Sequence, residues 1–298
     1  MKKVLPILSL ALILFACKKS NKTEVQPEEK KYNVSFTVAD FNQEVVTLGK
    51  TSSKVSAIGD TLKNHSDNLY YYVYNSAGSL VNTINQVSTS ATYGTVSDKL
   101  PSGNYTVYLA ATKGSAGVIN VNESNNAAIY PGGGYWNDTF YKKVTFTVGT
   151  TDLTQSVRLD RVVGGAEVTL TDVIPSNAYK ITILVQNDAN TIRLSTGSWE
   201  VGVTKTKDFI LAAGDKGQAN KKFFTHIANT TSSVTLNIRC YDSNNGLIAE
   251  KIVNNVNVFK NKKTLLTGSL FNNATNPSAG FTVTVNPIWD VSGTTITF

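Results

Sequence analysis

Cysteine, histidine, methionine and arginine are all scarce in this 298-residue chain, and each shortage removes a class of function. The two cysteines are Cys17 and Cys240. Cys17 stands at the end of an apolar leader, so the rest of the chain holds one thiol and can form no internal disulfide; packing alone must stabilise it. The two histidines, His65 and His226, stand in polar surroundings with no second histidine or cysteine at ligand spacing, so neither zinc nor any other metal is expected. Four arginines (Arg158, Arg161, Arg193 and Arg239) and scattered lysines give a formal charge of +7 without the basic stripe that nucleic acid requires. Also missing are GxSxG, the phosphate-cradling GxxxxGK[ST] loop and a dinucleotide fingerprint. No cofactor and no enzymatic activity are therefore expected. A pair of carboxylates from distant strands is the catalytic arrangement that would leave no local signature.

The chain opens MKKVLPILSLALILFAC, two lysines before an apolar run from Val4 to Phe15. As a helix that run rises only about 18 Å, short of the roughly 30 Å hydrocarbon core, so it reads as a secretory signal over residues 1–16 and not as a membrane span. Leu14-Phe15-Ala16-Cys17 fits the lipobox, in which the cysteine thiol takes a diacylglycerol before cleavage; Cys17 is the expected lipidation site. Two or three acyl chains, at about 0.8 kcal/mol per buried methylene, anchor stably. Residues 17–31 are charged and polar with too few apolar side chains to fold, and form a flexible tether.

Beyond the tether, period-two alternation announces strands at Tyr32-Val34-Phe36-Val38, Tyr105-Val107-Leu109-Ala111 and Val144-Phe146-Val148. It returns at Ala166-Val168-Leu170, Ile181-Ile183-Val185 and Phe281-Val283-Val285, with turn residues between the runs. The chain is therefore all-β, with one side of each sheet buried. Cys240 falls in phase with Val234, Leu236 and Ile238, a core position. Length favours two cores. Gly149-Thr150-Thr151-Asp152 is the expected seam, giving domains at 32–150 and 151–298. Tyr74–Val81 (YNSAGSLV) and Tyr241–Ile248 (YDSNNGLI) resemble each other, which fits either duplication or convergence of two hairpins.

Several segments in order, YYYVYNSAGSLV, LPSGNYTVYLAAT, VRLDRVVGGAEVTLTDVIP, FKNKKTLLTGSLF and FTVTVNPIWD, together resemble the fimbrillin-like lipoproteins of Bacteroidota, which include fimbrial shaft and anchor subunits. That resemblance implies two tandem transthyretin-like β-sandwich domains, no catalysis, and a role in adhesion or filament assembly with fimbrial subunits as partners. No arginine precedes Arg158, so the arginine-specific cut that frees some shaft subunits has no site here. A lipid-bound anchor or stand-alone surface protein is the implied type. Acidic residues often follow the cysteine in exported lipoproteins of this phylum, whereas Lys18-Lys19-Ser20-Asn21 follow it here. An outer-membrane location is expected, the cell surface favoured and the periplasmic face kept open.

The most unusual segment is Tyr130-Pro131-Gly132-Gly133-Gly134-Tyr135-Trp136-Asn137-Asp138. Tyr130, Tyr135, Trp136, Asn137 and Asp138 are candidate ligand-binding residues, because aromatic faces stack on sugar rings or proteins. The competing reading tucks Tyr135 and Trp136 against the sandwich. Trp199 and Trp289 adjoin strand-like runs and are expected in the core or at a sheet edge. Arg158 and Arg161, beside Asp152 and Asp160, suggest exposed pairs worth about 0–1 kcal/mol. Two functions follow: a subunit that assembles by β-strand addition through its terminal strands, Tyr32–Ala39 and Thr294–Phe298, or a monomeric module that binds surface glycan through the aromatic loop.

Overall fold

The computed structural model describes residues 29–39, 61–119, 121–122, 124–272 and 281–286. Cys17, Trp289 and the expected strand Thr294–Phe298 lie outside the described residues. Lys31–Phe298 forms one compact unit. Ten strands occupy its first part: β1 (Lys31–Val38), β2 (Asn68–Asn75), β3 (Leu80–Val87), β4 (Thr95–Pro101), β5 (Gly103–Thr112), β6 (Ala116–Ile119), β7 (Ala128–Pro131), β8 (Thr139–Val148), β9 (Leu153–Val157) and β10 (Asp160–Arg161). Eight follow: β11 (Gly164–Leu170), β12 (Lys180–Arg193), β13 (Trp199–Ile210), β14 (Lys221–Ile227), β15 (Val234–Tyr241), β16 (Leu247–Val256), β17 (Lys263–Gly268) and β18 (Phe281–Asn286). A single helical turn at Leu62–His65 and a 3₁₀ turn at Ala213–Asp215 are the helical segments among the described residues.

Two sandwiches result, and they share one plan. In the first, β1 lies between antiparallel β4 and parallel β9, facing a sheet in which β3, β2, β5 and β8 pair in that order. In the second, β11 lies between antiparallel β14 and parallel β17, facing β13, β12, β15 and β16. The seven strands correspond one to one in chain order. The similar turns at Tyr74–Val81 and Tyr241–Ile248, however, join β2 to β3 and β15 to β16, which are not equivalent pairs. Their likeness is turn chemistry: Asn75 Oδ1 accepts from the N–H groups of Ala77 and Ser79, and Asp242 Oδ1 from those of Asn244 and Gly246.

Inward residues build the cores where alternation placed them. Val34, Phe36, Leu69, Tyr71, Val107 and Leu109 fill the first, and Val168, Ile181, Ile183, Leu236, Ile238 and Cys240 contribute to the second. Each such side chain, fully buried, contributes about 1.5–3 kcal/mol. Burial also pushes the Cys240 thiol up to about 11, so it is inert packing.

Three expectations from sequence are corrected. The expected seam, Gly149–Asp152, joins β8 to β9, and both of those strands belong to the first sandwich. β1 carries hydrogen-bonded partners on both edges, so Tyr32–Ala39 is not a free strand. Burial on one side does not describe the sheet containing β2 either. Its second face, carrying Tyr72, Tyr74, Tyr108 and Tyr141, is covered by a third core containing Ile129, Trp136, Ala189, Ile192 and Leu194. Sheet-to-sheet packing on both sides explains why the YYYVY run shows no polar alternation.

Candidate functional site

The third core is made by an insertion. Between β5 and β8, where the second sandwich has a direct connection, residues 113–138 leave the first sandwich as the hairpin β6–β7. β7 then pairs with the far end of β12, Ile192 with Ile129 and Arg193 with Ala128. β12 reaches it through irregular register between Val185 and Thr191, where Asn187 takes a φ of 63°. One edge of β12 thus serves two neighbours, β15 over its first half and β7 at its end, while β13 pairs along the other edge.

The aromatic loop closes this insertion, and its five candidate residues part company. Trp136 is 1 % exposed; its indole N–H donates to the Ala189 carbonyl at 2.8 Å and its ring meets Trp199 edge to face at 5.4 Å. Asp138 is also buried, in a bidentate pair with Arg161 at 2.7 and 2.9 Å. Asn137 is half-buried and its carbonyl accepts from the Thr139 hydroxyl. Tyr130 and Tyr135 retain accessible rings. Tyr130 lies flat over Gly117, where a Cβ would come within 2.1 Å of the ring, and is 39 % exposed. Tyr135 is half-buried under the Lys207 ammonium, 5.2 Å from its centroid. The five-residue constellation is not brought together on one surface; two tyrosines are left as its outward faces.

Arg161 departs from the exposed pair its neighbours suggested. Its side chain is 3 % exposed, stacks 4.8 Å from the Phe140 centroid and donates also to Asn261 Oδ1 at 2.6 Å. Because Asn261 belongs to the turn before β17, this guanidinium ties the two sandwiches together. Asp160 instead meets Lys142 at 2.9 Å and Arg158 at 3.7 Å, both exposed, and Asp152 accepts from the Asn33 backbone and amide.

Asp188, not singled out from sequence, is fully buried in the β12 irregularity. Its Oδ1 accepts from the backbone N–H groups of Ala189, Ala228 and Asn229 at 2.8–3.0 Å, while Oδ2 has no hydrogen-bond partner among the described residues. Burial raises the carboxyl to about 6 against those three donors and the nearby Lys205 charge. The polar run Gln186-Asn187-Asp188 inside an apolar strand was the signal for it. His226 packs edge to face on Phe224, and burial lowers its imidazole to about 4, with Lys207, Arg161 and Lys263 adding to the shift and Asp138 opposing it. Lys205 and Lys207, lowered by burial, point from β13 into the sandwich. No group of three or more metal-ligating side chains occurs among the described residues, and no described helix is long and apolar enough to cross a membrane.

Comparison with known proteins agrees with this architecture. The sequence profile of a family described as of unknown function (DUF6562) matches residues 119–297, from the insertion onward. No curated protein matches the chain. Among solved structures, a candidate polysaccharide-binding protein (DUF1812) of Bacteroides thetaiotaomicron superposes with a TM-score of 0.55 at 10 % identity, covering 87 % of this chain and 96 % of its own. A candidate adhesin of Bacteroides ovatus gives 0.52 at 11 % identity, with 81 % and 88 % covered. Another candidate adhesin, of Bacteroides thetaiotaomicron, gives 0.50 at 10 % identity, with 89 % and 98 % covered. At such identities the likeness is one of fold: tandem β-sandwiches of the transthyretin-like type.

Proposed function

We propose that this chain, which belongs to the family of unknown function DUF6562, is an envelope-anchored adhesion protein of the fimbrial-subunit type. It is held by lipid on Cys17 and joins its partners by strand addition. The reading is supported by the sequence resemblance to fimbrillin-like lipoproteins and by the candidate adhesins that share the fold. One observation carries it, the state of the sheet edges.

Natural sheets guard their edges with charge, proline or irregularity. β4 carries Asp98, Lys99 and Pro101, β14 carries Lys221 and Lys222, and β16 carries Glu250 and Lys251. β13 turns Lys205 and Lys207 inward. β3 carries neither charge nor proline; its guard is a register irregularity at Val81, which has no partner on β2, and edge strand β18 is likewise free of charge and proline. β3 is an eight-residue edge whose one strand partner among the described residues is β2, with Val81 and Val87 41 % and 51 % exposed. Its inward side chains are occupied instead in clasping β4, Asn82 donating to Asp98 and Gln86 to the Thr95 carbonyl. Its open main-chain rim therefore suits an incoming strand.

The test replaces Val81 and Val87 by lysine in the full chain. Co-purification with surface filaments should fall to background while circular dichroism and secretion stay unchanged; filaments that still carry the double variant refute the reading. Incorporation of labelled palmitate, and its loss in Cys17→Ser, tests the anchor separately. The glycan-binding alternative now rests on Tyr130 and Tyr135, so a glycan array with both changed to alanine tests it.

A further inference from the structure

A cleft of about 310 Å³ opens between the start of β8, the β12–β13 turn and the turn before β17, lined by Lys142, Lys143, Asp160, Thr196, Gly197 and Lys260. Its floor is the Tyr141 ring, whose hydroxyl donates to the Leu194 carbonyl. Gly197, with a φ of 66°, lets the turn press on that ring, since a Cβ would lie 3.4 Å from it. The volume is at the lower end of the roughly 300–1,000 Å³ typical of ligand pockets.

The charges around it do not balance. Asp160 is the lining carboxylate, and it already serves Lys142 and, just outside, Arg158. Arg161 beneath is committed to Asp138. Lys143 donates to the neutral Ser195 carbonyl at 3.0 Å, and among the described residues no carboxylate forms an ion pair with Lys143 or Lys260. Both ammonium groups line the same cleft, so an anion lodged there meets two cations. The Thr196 hydroxyl, held at 2.6 Å from that of Ser198, lines the cleft and together with Asp160 offers the neutral and acceptor groups that sugar hydroxyls need.

We propose that this cleft binds an acidic saccharide, one sugar ring carrying a carboxylate or sulfate, with Lys143 and Lys260 as its charge partners and Tyr141 and Gly197 as its floor. The site is distinct from the aromatic loop and from the β3 edge. It uses the ring of the sugar for fit and its acid group for the charge that the cleft lacks. Neutral saccharides leave the two ammonium groups uncompensated and are discriminated against.

The test is calorimetric titration of the full chain in detergent with oligogalacturonate, a chondroitin sulfate oligosaccharide, neutral galactan oligosaccharide and inorganic sulfate. At least one acidic oligosaccharide should bind, more weakly as salt rises, and Lys143→Gln or Lys260→Gln should each weaken it about tenfold, a typical loss for one charge-assisted hydrogen bond. Lys63→Gln, an exposed lysine on the helical turn, should leave it unchanged. The carboxylate and sulfate arms identify the acid group. Four results overturn the proposal: no acidic oligosaccharide binds, neutral galactan binds equally, the two lysine variants bind as tightly as the parent, or inorganic sulfate binds as well as the saccharide, which is an adventitious ion only. The assembly reading is unaffected by any of these, because neither lysine touches β3; filament co-purification of Lys143→Gln should equal that of the parent.

Discussion

Asp188 provides the sharpest test of the packing around the β12 irregularity. An ordinary aspartate titrates near 3.8, and here burial raises the folded value to about 6. The folded state therefore keeps a proton that the unfolded chain releases. The sign follows: stability from this group is fully present below about pH 4 and is lost as pH rises to about 6. A rise of that size corresponds to about 3 kcal/mol. His226 acts in the opposite sense. Its folded value is lowered from 6.5 to about 4, so the folded protein resists charging the ring, and stability falls by a similar amount on acidification from about pH 6.5 to 4. Asp138 favours the charged ring, while Lys207, Arg161 and Lys263 oppose it.

The two effects nearly cancel in the parent, so a single stability curve would hide both. Asp188→Asn separates them. The asparagine oxygen keeps the three backbone donors and removes the titration, leaving His226 exposed as a net loss of about 3 kcal/mol between pH 6.5 and 4. Urea unfolding followed by tryptophan fluorescence, at half-unit pH steps, measures the difference between variant and parent. That difference should grow toward low pH and be flat above about 6.5. Parallel curves for the two proteins from pH 4 to 7 would refute the assignment.

Other expectations are simpler. Trp136→Ala removes a buried indole, its bond to Ala189 and its contact with Trp199, and should cost about 3–5 kcal/mol, read as a fall in urea midpoint. Arg161→Met strands the buried Asp138 carboxylate and should cost about 3–5 kcal/mol, most of it recovered in the double variant with Asp138→Leu. Peptide mapping after iodoacetamide at pH 8 should find Cys240 unmodified in the folded protein and modified in urea, because its thiol is buried and pushed up to about 11.

Local rules read most of the strands from sequence and little of their assembly. Alternation at Tyr32–Val38, Tyr105–Ala111 and Ile181–Val185 marked real strands because their alternate apolar residues fill the sandwich cores, and Cys240 kept phase with Ile238 for the same reason. The aromatic run at Tyr70–Tyr74 was legible as a strand but not as one covered on both faces, since the covering layer comes from residues 113–138 and the end of β12. Equally hidden was the partner of Trp136, whose bond to Ala189 crosses fifty-three residues. The pair of Lys142 with Asp160 lies across the neighbouring strands β8 and β10. Arg161 instead found Asp138 and Asn261, a choice made by tertiary packing.

The shared strand β12 has a mechanical consequence. Two sandwiches joined only by a linker would move apart freely, like beads on a string. Here β7 and β15 are both stitched to the same fourteen-residue strand, so the joint cannot open without shearing main-chain bonds. Separating the two sandwiches therefore has to break the β7–β12 ladder as well as extend the linker.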